Sequence, residues 1–429
     1  MSSGAADAGL DVAVVGGGIV GICCALSLIE SGRRVTLIDK GEPGQATSYG
    51  NAGTISPWSV VPQSMPGLWK QIPGMLLRPN GPAGVSLKSA VGQLPWLWRF
   101  LRAGRPDRVS EISEAMAFLC RDSVSLYRRH LEGTGAEDLI RDSLYVAVHR
   151  NPADADPDSL GYRLRIKQGA QVERIGADEL RRLEPALSKD IKAAILIHDQ
   201  ARALDPGGIG KALAEKVRRL GGDILRTSVR NLKPRTNCGW MLNTEAGDLS
   251  AAKVVLSAGA WSTDLLKSLG VSVPLTAERG YHVSLPNADI ELNNSIMDAD
   301  NHFIANAMTP GLRFAGIAEF APIDAPLNPA RIETLVRCAS KLIPGLDFSD
   351  RREWMGVRPS FPDSLPLIEE LHGHKDLFAA FGHSHWGLMM APKTGRVVAD
   401  LITGNPVNAD LTAYGSGRFR NPKSALGSA

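Results

Sequence analysis

Three glycines close to the amino terminus constrain the fold of this chain more than any other feature. Gly16, Gly18 and Gly21 follow a strand-like apolar segment, residues 11–15, and open a helix-like apolar segment, residues 19–30. In the G-x-G-x-x-G motif the first glycine permits a tight turn, the second lets the backbone approach a pyrophosphate, and the third lets the helix pack on the sheet. The spacing therefore predicts the opening β-strand, turn and helix of a parallel sheet that binds a dinucleotide.

An acidic residue at the end of the next predicted strand supports this interpretation. The strand covers residues 35–39 and ends in Asp39, whose carboxylate can accept hydrogen bonds from ribose hydroxyls and would repel a 2′-phosphate. Ile19 and Val20 are the first residues of the predicted helix. Their N–H groups and the helix dipole favour binding of a pyrophosphate there. We also expect Lys40 among the residues that contact the cofactor. The motif disfavours NADP but leaves NAD and FAD open.

Composition and charge exclude several other classes of protein. The chain has 429 residues, 44% of them hydrophobic and 22% charged, as in soluble globular proteins, and its length suits two domains. A net charge of +3 is too balanced to indicate nucleic-acid binding. Five cysteines without a C-x-x-C pair do not indicate a disulfide framework and favour a reducing, cytoplasmic compartment.

The order of predicted elements indicates an α/β fold with one discontinuous domain. Parallel-type strands and helices predict a Rossmann-like domain over residues 1–60, 195–275 and 350–429, interrupted by two insertions. After Pro274 the pattern changes to that of an antiparallel sheet. We therefore predict a substrate domain built from residues 61–194 and 276–349.

Five sequence blocks resemble a known family. The chain resembles the D-amino-acid dehydrogenase branch of the FAD-dependent glycine/D-amino-acid oxidase superfamily, and the blocks follow that family's order along nearly the whole chain. They are GGGIVG at 16–21, SYGNAG at 48–53, ERGYH at 278–282, GVRPSFPDSLP at 356–366 and FGHSHWGL at 381–388. The resemblance favours FAD over NAD. Gly356 stands in register with a cysteine that attaches FAD in some relatives, which implies non-covalent FAD here.

The resemblance also implies where FAD would lie. Residues 48–53 would line the isoalloxazine, Val229 would contact the adenine end, and the segment after residue 257 would pass close to the pyrophosphate. Residues 382–388 would cover the pyrimidine side of the flavin. The residues predicted to bind the cofactor in these segments are Ser48, Asn51, Ala52, Gly53, Val229, Ala258, Gly259, Gly382, His383, Trp386, Gly387 and Leu388.

A guanidinium is the best candidate for binding a substrate carboxylate. Arg358 offers paired donors that fit a carboxylate, and the resemblance implies this role for it. Tyr281 is predicted to donate a second hydrogen bond to the same carboxylate. His282, His302 and His385 are weaker candidates for the substrate site.

Metal chemistry is not expected from the two His-x-His pairs. His372 and His374 form one pair, and His383 and His385 form the other. Neither pair has a carboxylate cluster at ligand spacing beside it, so the sequence predicts no metal site.

These features predict oxidative deamination of a D-amino acid, with the α-hydrogen passing as hydride to flavin N5 and the imino product hydrolysing to a 2-oxo acid. One alternative is a dehydrogenase for a cyclic secondary amine such as D-hydroxyproline. The ERGYH block departs from the Lys-Gly-Tyr-Ser form associated with D-alanine-type enzymes. This departure puts D-alanine as the substrate in doubt. An oxygen-using glycine- or sarcosine-type oxidase and a non-catalytic flavoprotein subunit of a complex are further alternatives.

The electron acceptor stays open among a quinone, an electron-transfer protein and oxygen. The aromatic and cationic segment 94–101 could rest on the inner face of a membrane near quinones. We favour the other interpretation, a helix packed on the core, because only one or two turns are involved.

Overall fold

In the computed structural model, all of the described strands belong to two β-sheets, and helices cover them. The structure describes residues 9–70, 83–85, 91–236, 238–309 and 311–420. The strands, in chain order, are β1 (Leu10–Val15), β2 (Val35–Asp39), β3 (Thr54–Ile55), β4 (Ala83–Val85), β5 (Ile140–His149), β6 (Val172–Gly176), β7 (Ala193–Ala203), β8 (Asp223–Arg226), β9 (Val229–Pro234), β10 (Trp240–Thr244), β11 (Gly247–Leu256), β12 (Thr276–Leu285), β13 (Ser295–Asp298), β14 (Phe303–Met308), β15 (Gly311–Phe320), β16 (Arg352–Ser360), β17 (Leu367–Glu370) and β18 (Leu377–Phe381).

The α-helices, in chain order, are α1 (Ile19–Glu30), α2 (Leu94–Ala103), α3 (Pro106–Cys120), α4 (Ser123–Leu131), α5 (Leu160–Lys167), α6 (Ala177–Leu183), α7 (Pro206–Arg219), α8 (Ser262–Lys267), α9 (Pro329–Leu342) and α10 (Gly387–Thr403). Short 3-10 helices cover Leu68–Lys70, Val91–Gln93, Glu137–Leu139, Gly259–Trp261, Ser384–Trp386, Thr412–Tyr414 and Ser416–Phe419.

The first sheet is parallel at its centre, as the glycine motif predicts. Its strand order is β17-β18-β11-β1-β2-β8, with β10 and β9 added beside β11. Strands β18, β11, β1, β2 and β8 run parallel. Their carboxyl ends therefore meet at one edge, which brings together the turns that follow Val15, Asp39, Leu256 and Phe381.

Helix α1 is buried on nearly all sides because it lies between the first sheet and α10. A side chain at Gly395 of α10 would clash with the backbone of Cys23 in α1, so glycine allows the two helices to approach closely. The same apolar core includes residues of α3, α4 and α7. An all-apolar helix pattern is thus explained by burial within the protein.

The second sheet is mostly antiparallel and carries the substrate candidates. Its order is β16-β12-β15-β14-β13-β5-β7-β3, with β4 on β15 and β6 on β7. In the pairing of β12 with β16, Glu278 lies opposite Arg358, Gly280 opposite Gly356, and His282 opposite Trp354. Helix α9 packs against the other face of this sheet. The predicted fold class, a Rossmann-like domain with an antiparallel-sheet domain inserted, is confirmed.

Sheet membership departs from the predicted domain ranges in several segments. Strands β7 and β16 fall in ranges assigned to the nucleotide-binding domain but belong to the second sheet. Helices α3 and α4 fall in a range assigned to the substrate domain but share the core of α1 and α10. Which strands pair is decided by tertiary contacts that a pattern along the chain does not specify. The division into domains itself stays a prediction.

Helix α2 covers the aromatic and cationic segment singled out in the sequence. Trp96 packs inward, with its indole Nε1 donating to the carbonyl of Ser360 at 3.2 Å and its ring stacked on Phe100. Leu94 and Trp98 are 58% and 55% exposed. The helix therefore has one packed face and one exposed apolar face. Among the described residues, no helix has both the length and the apolar character needed to cross a bilayer.

Candidate active site

Backbone segments approach so closely in the turn after β1 that only glycine fits there. Gly16 has a φ of +110°, and a Cβ there would clash with the carbonyl of Ser257 at the end of β11. A Cβ at Gly21 would clash with the carbonyl of Gly16. At Gly18 a Cβ would meet only the Ser48 hydroxyl, at 3.6 Å, so this glycine borders open space. A ligand can therefore approach the backbone at Gly18.

The amino terminus of α1 faces the same space. Gly18 is its N-cap residue, and the N–H of Ile19 donates to Ser48 Oγ at 2.9 Å. Val20 is partly exposed in this first turn. Backbone N–H groups and the helix dipole make such a terminus attractive to a phosphate group.

Asp39 connects the glycine turn to the end of β2. Its carboxylate accepts from the N–H of Gly17 at 2.6 Å and from the N–H of Gly41 at 2.7 Å. The following residue, Lys40, places its ammonium 4.2 Å from the centre of the Trp261 ring. The acid thus lies beside the glycine turn, where the sequence predicts a ribose-binding carboxylate.

Two further predicted cofactor segments meet at this edge. The hydroxyl of Ser257 donates to the carbonyls of Val15 and Gly16, both at 3.0 Å, which joins β11 to the glycine turn. Gly259, after Ala258, has a φ of +58°, and a Cβ there would meet nothing within 4 Å. Val229 begins β9, two residues after Thr227, whose N–H donates to the carbonyl of Asp39.

The loop at residues 48–53 is fixed from the second sheet by two side chains that the sequence did not single out. Buried Arg313 donates through Nη1 to the carbonyls of Tyr49, at 2.8 Å, and Asn51, at 3.0 Å. Asn306 donates through Nδ2 to the carbonyl of Ala52 at 2.6 Å. Gly53 has a φ of +82° and its N–H donates to Asn51 Oδ1 at 2.8 Å. The loop is thereby held between the two sheets.

The segment 382–388 connects β18 to α10 at the same edge of the first sheet as the glycine turn. Gly382 has a φ of +90°, and a Cβ there would clash with the Phe361 ring. Buried His383 lies 3.0 Å from Thr394 Oγ1 through its Nε2, and burial lowers the pKa of His383 to about 3. His383 is therefore uncharged at neutral pH.

Helix α10 begins directly after this segment. Gly387 is its first residue and Trp386 its N-cap, partly buried and edge-on to His385. The carbonyl of buried Leu388 accepts from the hydroxyl of Tyr127 at 2.7 Å. The start of α10 is therefore anchored to α4, and it follows β18 at the same sheet edge as the other cofactor segments.

A buried carboxylate, Glu278, lies at the centre of the candidate substrate site and is 1% exposed. Its Oε1 accepts from Arg358 Nη1 at 2.9 Å and from His385 Nε2 at 2.8 Å. Its Oε2 accepts from Ser360 Oγ at 2.9 Å and from Gln63 Nε2 at 3.3 Å. We call these five residues the Glu278 cluster. The cluster joins β12, β16, the loop after β3 and the segment before α10.

The donors of the cluster keep Glu278 ionised. Burial alone would raise the pKa of this carboxyl, but the charge and hydrogen bond of His385, the charge of Arg358 and the hydroxyl of Ser360 outweigh it. The pKa of Glu278 is consequently held well below its ordinary value. The carboxylate carries a full negative charge at neutral pH.

Arg358 is held so that one of its two donor edges faces away from Glu278. Its Nη1 donates to Glu278 and also lies 3.3 Å from the carbonyl of Ile317. The guanidinium lies against Gly280, where any Cβ would clash with its Cζ, Nη2 and Nε atoms. Among the described residues, none accepts a hydrogen bond from Nε or Nη2. This remaining edge is the one that can bind a carboxylate in a bidentate manner.

The structure does not bring Tyr281 together with Arg358. Successive residues of a strand point to opposite faces, so Tyr281 faces α9 while Glu278 and Gly280 face Arg358. Its hydroxyl donates to buried Glu319, which also binds Arg279 at 3.1 Å. Tyr281 therefore belongs to a buried network on the far face of the sheet, and it is not available to bind a substrate carboxylate beside Arg358.

His282 lies on the same face of β12 as Glu278, next to aromatic residues. Its ring stacks on Trp354, with centroids 4.8 Å apart and an interplanar angle of 14°, and its Nδ1 lies 3.3 Å from the carbonyl of Gly50. Burial and the charge of Arg313 lower the pKa of His282 to about 3. The Trp354 ring also lies against Gly50 and Gly356. These residues form an uncharged surface next to the 48–53 loop.

Both ring nitrogens of His385 are occupied. Nε2 bonds Glu278, and Nδ1 lies 2.7 Å from Gln63 Nε2. The pattern is satisfied when Gln63 donates to Nδ1 and the Nε2–H donates to Glu278. His385 therefore orders the cluster rather than offering a free nitrogen to a substrate. Within the described residues, no group of three or more His, Cys, Asp and Glu side chains is arranged to hold a metal ion.

Sequence reasoning missed several residues of this site. Glu278 was noted only as part of the ERGYH block, and Gln63, Asn306 and Arg313 were not considered. A buried arginine in an apolar strand is unusual. The one signal that could have found Arg313 is therefore its position in the predicted strand 312–319.

Comparison with known proteins agrees with this architecture. The family model described as DAO, FAD dependent oxidoreductase, matches residues 11–401. The D-amino-acid oxidase of Bradyrhizobium diazoefficiens is 37% identical over 418 residues, which cover 96% of this chain and 99% of that protein. The crystal structure of glycine oxidase from Geobacillus kaustophilus has a TM-score of 0.73 at 22% identity, covering 96% of this chain and 99% of that one.

A second solved structure shares the fold. The crystal structure of L-proline dehydrogenase from P. horikoshii has a TM-score of 0.74 at 20% identity, and the match covers 96% of this chain and 98% of that one. The family model spans both sheets, and the curated relative is matched over almost its full length. The chain therefore belongs to the DAO family of FAD-dependent oxidoreductases.

Proposed function

We propose that this protein oxidises a D-amino acid at its α-carbon and that Arg358 binds the substrate carboxylate. The single observation that carries the proposal is the Nε/Nη2 edge of Arg358, which no described residue engages, while Glu278 holds the guanidinium against Gly280 and also binds His385 of the segment 382–388. A partly buried, pre-oriented guanidinium binds a carboxylate with charge-assisted hydrogen bonds. The name of the 37% identical relative, a D-amino-acid oxidase, supports the same substrate class.

The residues present fit an FAD cofactor, on which the family depends. Open space above Gly18 and Gly259 leaves room for a pyrophosphate at the amino terminus of α1, and Asp39 lies within reach of a ribose there. Bound FAD would supply a two-electron acceptor for the hydride from the substrate α-carbon. We propose that the loop 48–53 and the segment 382–388 border the flavin ring.

We propose that FAD is bound without a covalent link. Gly356 occupies the position that would carry the attaching cysteine, and Cys23, Cys24 and Cys120 are buried elsewhere in the core. Denaturing the purified protein should release all of its flavin into the filtrate. Flavin that stays with the precipitated chain would contradict non-covalent binding.

The protein residues would contribute orientation and charge rather than a proton acceptor. Arg358 would fix the substrate carboxylate, and fixed geometry is a large part of the rate enhancement in such reactions. His282 is uncharged and hydrogen-bonded, and both nitrogens of His385 are occupied. A substrate that reacts with its amine already neutral requires no base from these side chains. After the α-hydrogen leaves with two electrons, the imino acid would hydrolyse to a 2-oxo acid and ammonia.

A cyclic secondary amine is the second candidate substrate. The uncharged surface of Trp354 and His282 beside Arg358 suits a ring as well as an open side chain. A solved structure with the same fold is named L-proline dehydrogenase from P. horikoshii, and the name of that protein is consistent with a cyclic substrate. Rates with D-proline, D-hydroxyproline and D-alanine, measured with one dye acceptor, distinguish the two candidates.

The electron acceptor is proposed from the same comparison, and the location from the sequence. The name of the 37% identical relative favours oxygen as acceptor. Peroxide formed per turnover tests this: one peroxide per imino acid supports an oxidase, and its absence supports a quinone or an electron-transfer protein. We expect a cytoplasmic protein. Peripheral attachment through the exposed Leu94 and Trp98 predicts that activity sediments with membranes, and activity found entirely in the soluble fraction would argue against it.

Anaerobic mixing with substrate tests the proposed function. A D-amino acid should bleach the visible absorbance of the bound flavin, and the L-enantiomer should not. If no D-amino, N-methyl or cyclic amino acid reduces the flavin, the proposed function is wrong.

A further inference from the structure

Arg313 places a buried positive charge against the loop 48–53. Its side chain lies on β15, is 2% exposed, and stands directly across the sheet from Ser284 on β12. Through Nη1 it donates to the carbonyls of Tyr49 and Asn51, and through Nε it donates to Ser284 Oγ at 3.4 Å. All three acceptors are uncharged, so none of these bonds neutralises the guanidinium.

No acidic side chain neutralises it either. Within the described ranges, no residue forms an ion pair with Arg313, and Asp205, at the start of α7, is the acid that acts on its charge from outside contact distance. His282, two residues before Ser284 on the same face of β12, is uncharged because its pKa is lowered to about 3. Outside the described ranges the sequence has one acidic residue, Asp7, and its other charged residues there are basic.

Such an arrangement costs stability unless a ligand compensates for it. Arginine is seldom buried without a partner, because its charge loses hydration. Part of the guanidinium is also unused: Nη2 of Arg313 has no acceptor among the described residues, yet it is not sealed from solvent. A ligand group that gains negative charge next to Nη2 would offset this cost. The loop that Arg313 holds is the one that we propose borders the flavin.

The reaction proposed above creates a negative charge on the flavin. The α-hydrogen leaves a substrate with a neutral amine and moves with two electrons to flavin N5. The substrate becomes an iminium cation, and the reduced flavin carries one additional negative charge. A fixed cation beside the ring stabilises this charged product more than the neutral oxidised flavin.

We propose that Arg313 binds the flavin through Nη2 and stabilises its reduced, negatively charged form, which raises the reduction potential of the bound FAD. This inference rests on the position proposed above for the flavin beside the loop 48–53. The role is separate from that of Arg358, which pairs with Glu278, six residues from Ser284 along β12. That spacing corresponds to about 20 Å along the strand.

Sulfite binding and potentiometry test the proposal without an amino-acid substrate. Sulfite adds reversibly to flavin N5 and leaves a negative charge on the ring, so its dissociation constant reports the same stabilisation. In FAD-loaded Arg313→Gln we expect sulfite affinity to fall by about tenfold or more, because one charge near the ring is lost. The potential of the two-electron couple should fall by about 30 mV for each factor of ten. Unchanged values would overturn the proposal.

Two further variants separate the charge from the packing of the loop. Arg313→Lys keeps the charge and loses the fork of donors, so it should bind FAD more weakly but keep the sulfite affinity of the wild-type protein. Asn306→Ala removes the bond to the carbonyl of Ala52 in the same loop and leaves the charge in place. Once saturated with FAD, it should also keep that affinity.

These variants keep the proposal testable even if Arg313→Gln does not bind FAD. A fall of about tenfold in the sulfite affinity of Arg313→Lys would refute a role for the charge. A fall of the same size in Asn306→Ala would assign the effect to loop packing and would refute it as well.

Failure of this inference can be told apart from failure of the proposed function. Unchanged sulfite affinity in Arg313→Gln, with D-amino acids still reducing the flavin, overturns only the role of Arg313. The expected loss of sulfite affinity, in a protein whose flavin no amino acid reduces, supports the role of Arg313 and rejects the proposed reaction.

Discussion

Replacing Arg358 by leucine should remove the carboxylate anchor and leave the cofactor segments intact. The leucine keeps apolar bulk over Gly280 but offers no donor to a substrate. It also leaves Glu278 with three of its four donors, those from His385, Ser360 and Gln63. The expected result is a large rise in KM with FAD still bound.

The size of the effect follows from the two donors on the free edge of Arg358. Each hydrogen bond from a charged donor contributes about 1.5–3 kcal/mol, so two contribute about 3–6 kcal/mol. At about 1.4 kcal/mol per factor of ten, kcat/KM should fall by about 10² to 10⁴. The side chain of Arg358 is only 18% exposed, so solvent screening reduces this estimate little.

The same substitution should lower stability and change its pH dependence. Leaving a buried carboxylate without its cation costs about 3 kcal/mol in the free energy of unfolding. In the wild-type protein the depressed pKa of Glu278 stabilises the fold fully above its ordinary pKa of 4.5, and this contribution is lost as the pH falls through the folded-state pKa. Without Arg358 the folded-state pKa rises, so the variant should lose stability at a higher pH.

Steady-state kinetics with a dye acceptor, flavin content and denaturant unfolding measure these effects. Arg279→Leu is the matched control, because Arg279 is a buried arginine on β12 that pairs with Glu319 on the far face. It should lower stability without raising KM. A wild-type KM in Arg358→Leu, or equal increases in KM in both variants, would refute the anchor.

Three further predictions concern the glycine under Arg358, the nucleotide site and a buried histidine. Gly280→Ala should raise KM without releasing FAD, because a Cβ there clashes with the guanidinium of Arg358. An unchanged KM in steady-state kinetics would mean that the guanidinium is not held there. Asp39→Asn should weaken FAD binding by about tenfold, measured by flavin fluorescence titration, because charge-assisted bonds at this turn are lost. His383 should make the fold less stable as the pH falls from 6.5 towards about 3, by up to about 1.4 kcal/mol per pH unit, because only the unfolded chain takes up its proton. Denaturant unfolding of His383→Gln should show a weaker pH dependence, and an unchanged dependence would contradict this.

The nucleotide-binding half of the site was largely predictable from sequence. The predicted helix Ile19–Glu30 and strand Val35–Asp39 have the observed bounds, because apolar runs, glycines and an acid at fixed spacing are local signals. The turn at Gly16 also lies where its spacing requires.

The substrate half was only partly predictable. Tyr281 and His282 were both proposed to face the substrate, although adjacent residues of one strand point to opposite faces. Only the pairing of β12 with β16, which aligns Glu278 with Arg358, shows which alternate residues of β12 lie on the same face as Arg358. The role of Arg313 depends on contacts with a loop more than 250 residues earlier, and no local pattern encodes that contact.

The most direct test of the central claim is anaerobic reduction of the purified, FAD-loaded protein by enantiomeric pairs of amino acids. The account predicts that a D-enantiomer bleaches the flavin and yields one equivalent of 2-oxo acid per flavin, while the L-enantiomer does neither. Reduction by the L-enantiomer in preference, or no reduction by any D-amino, N-methyl or cyclic amino acid, would contradict it.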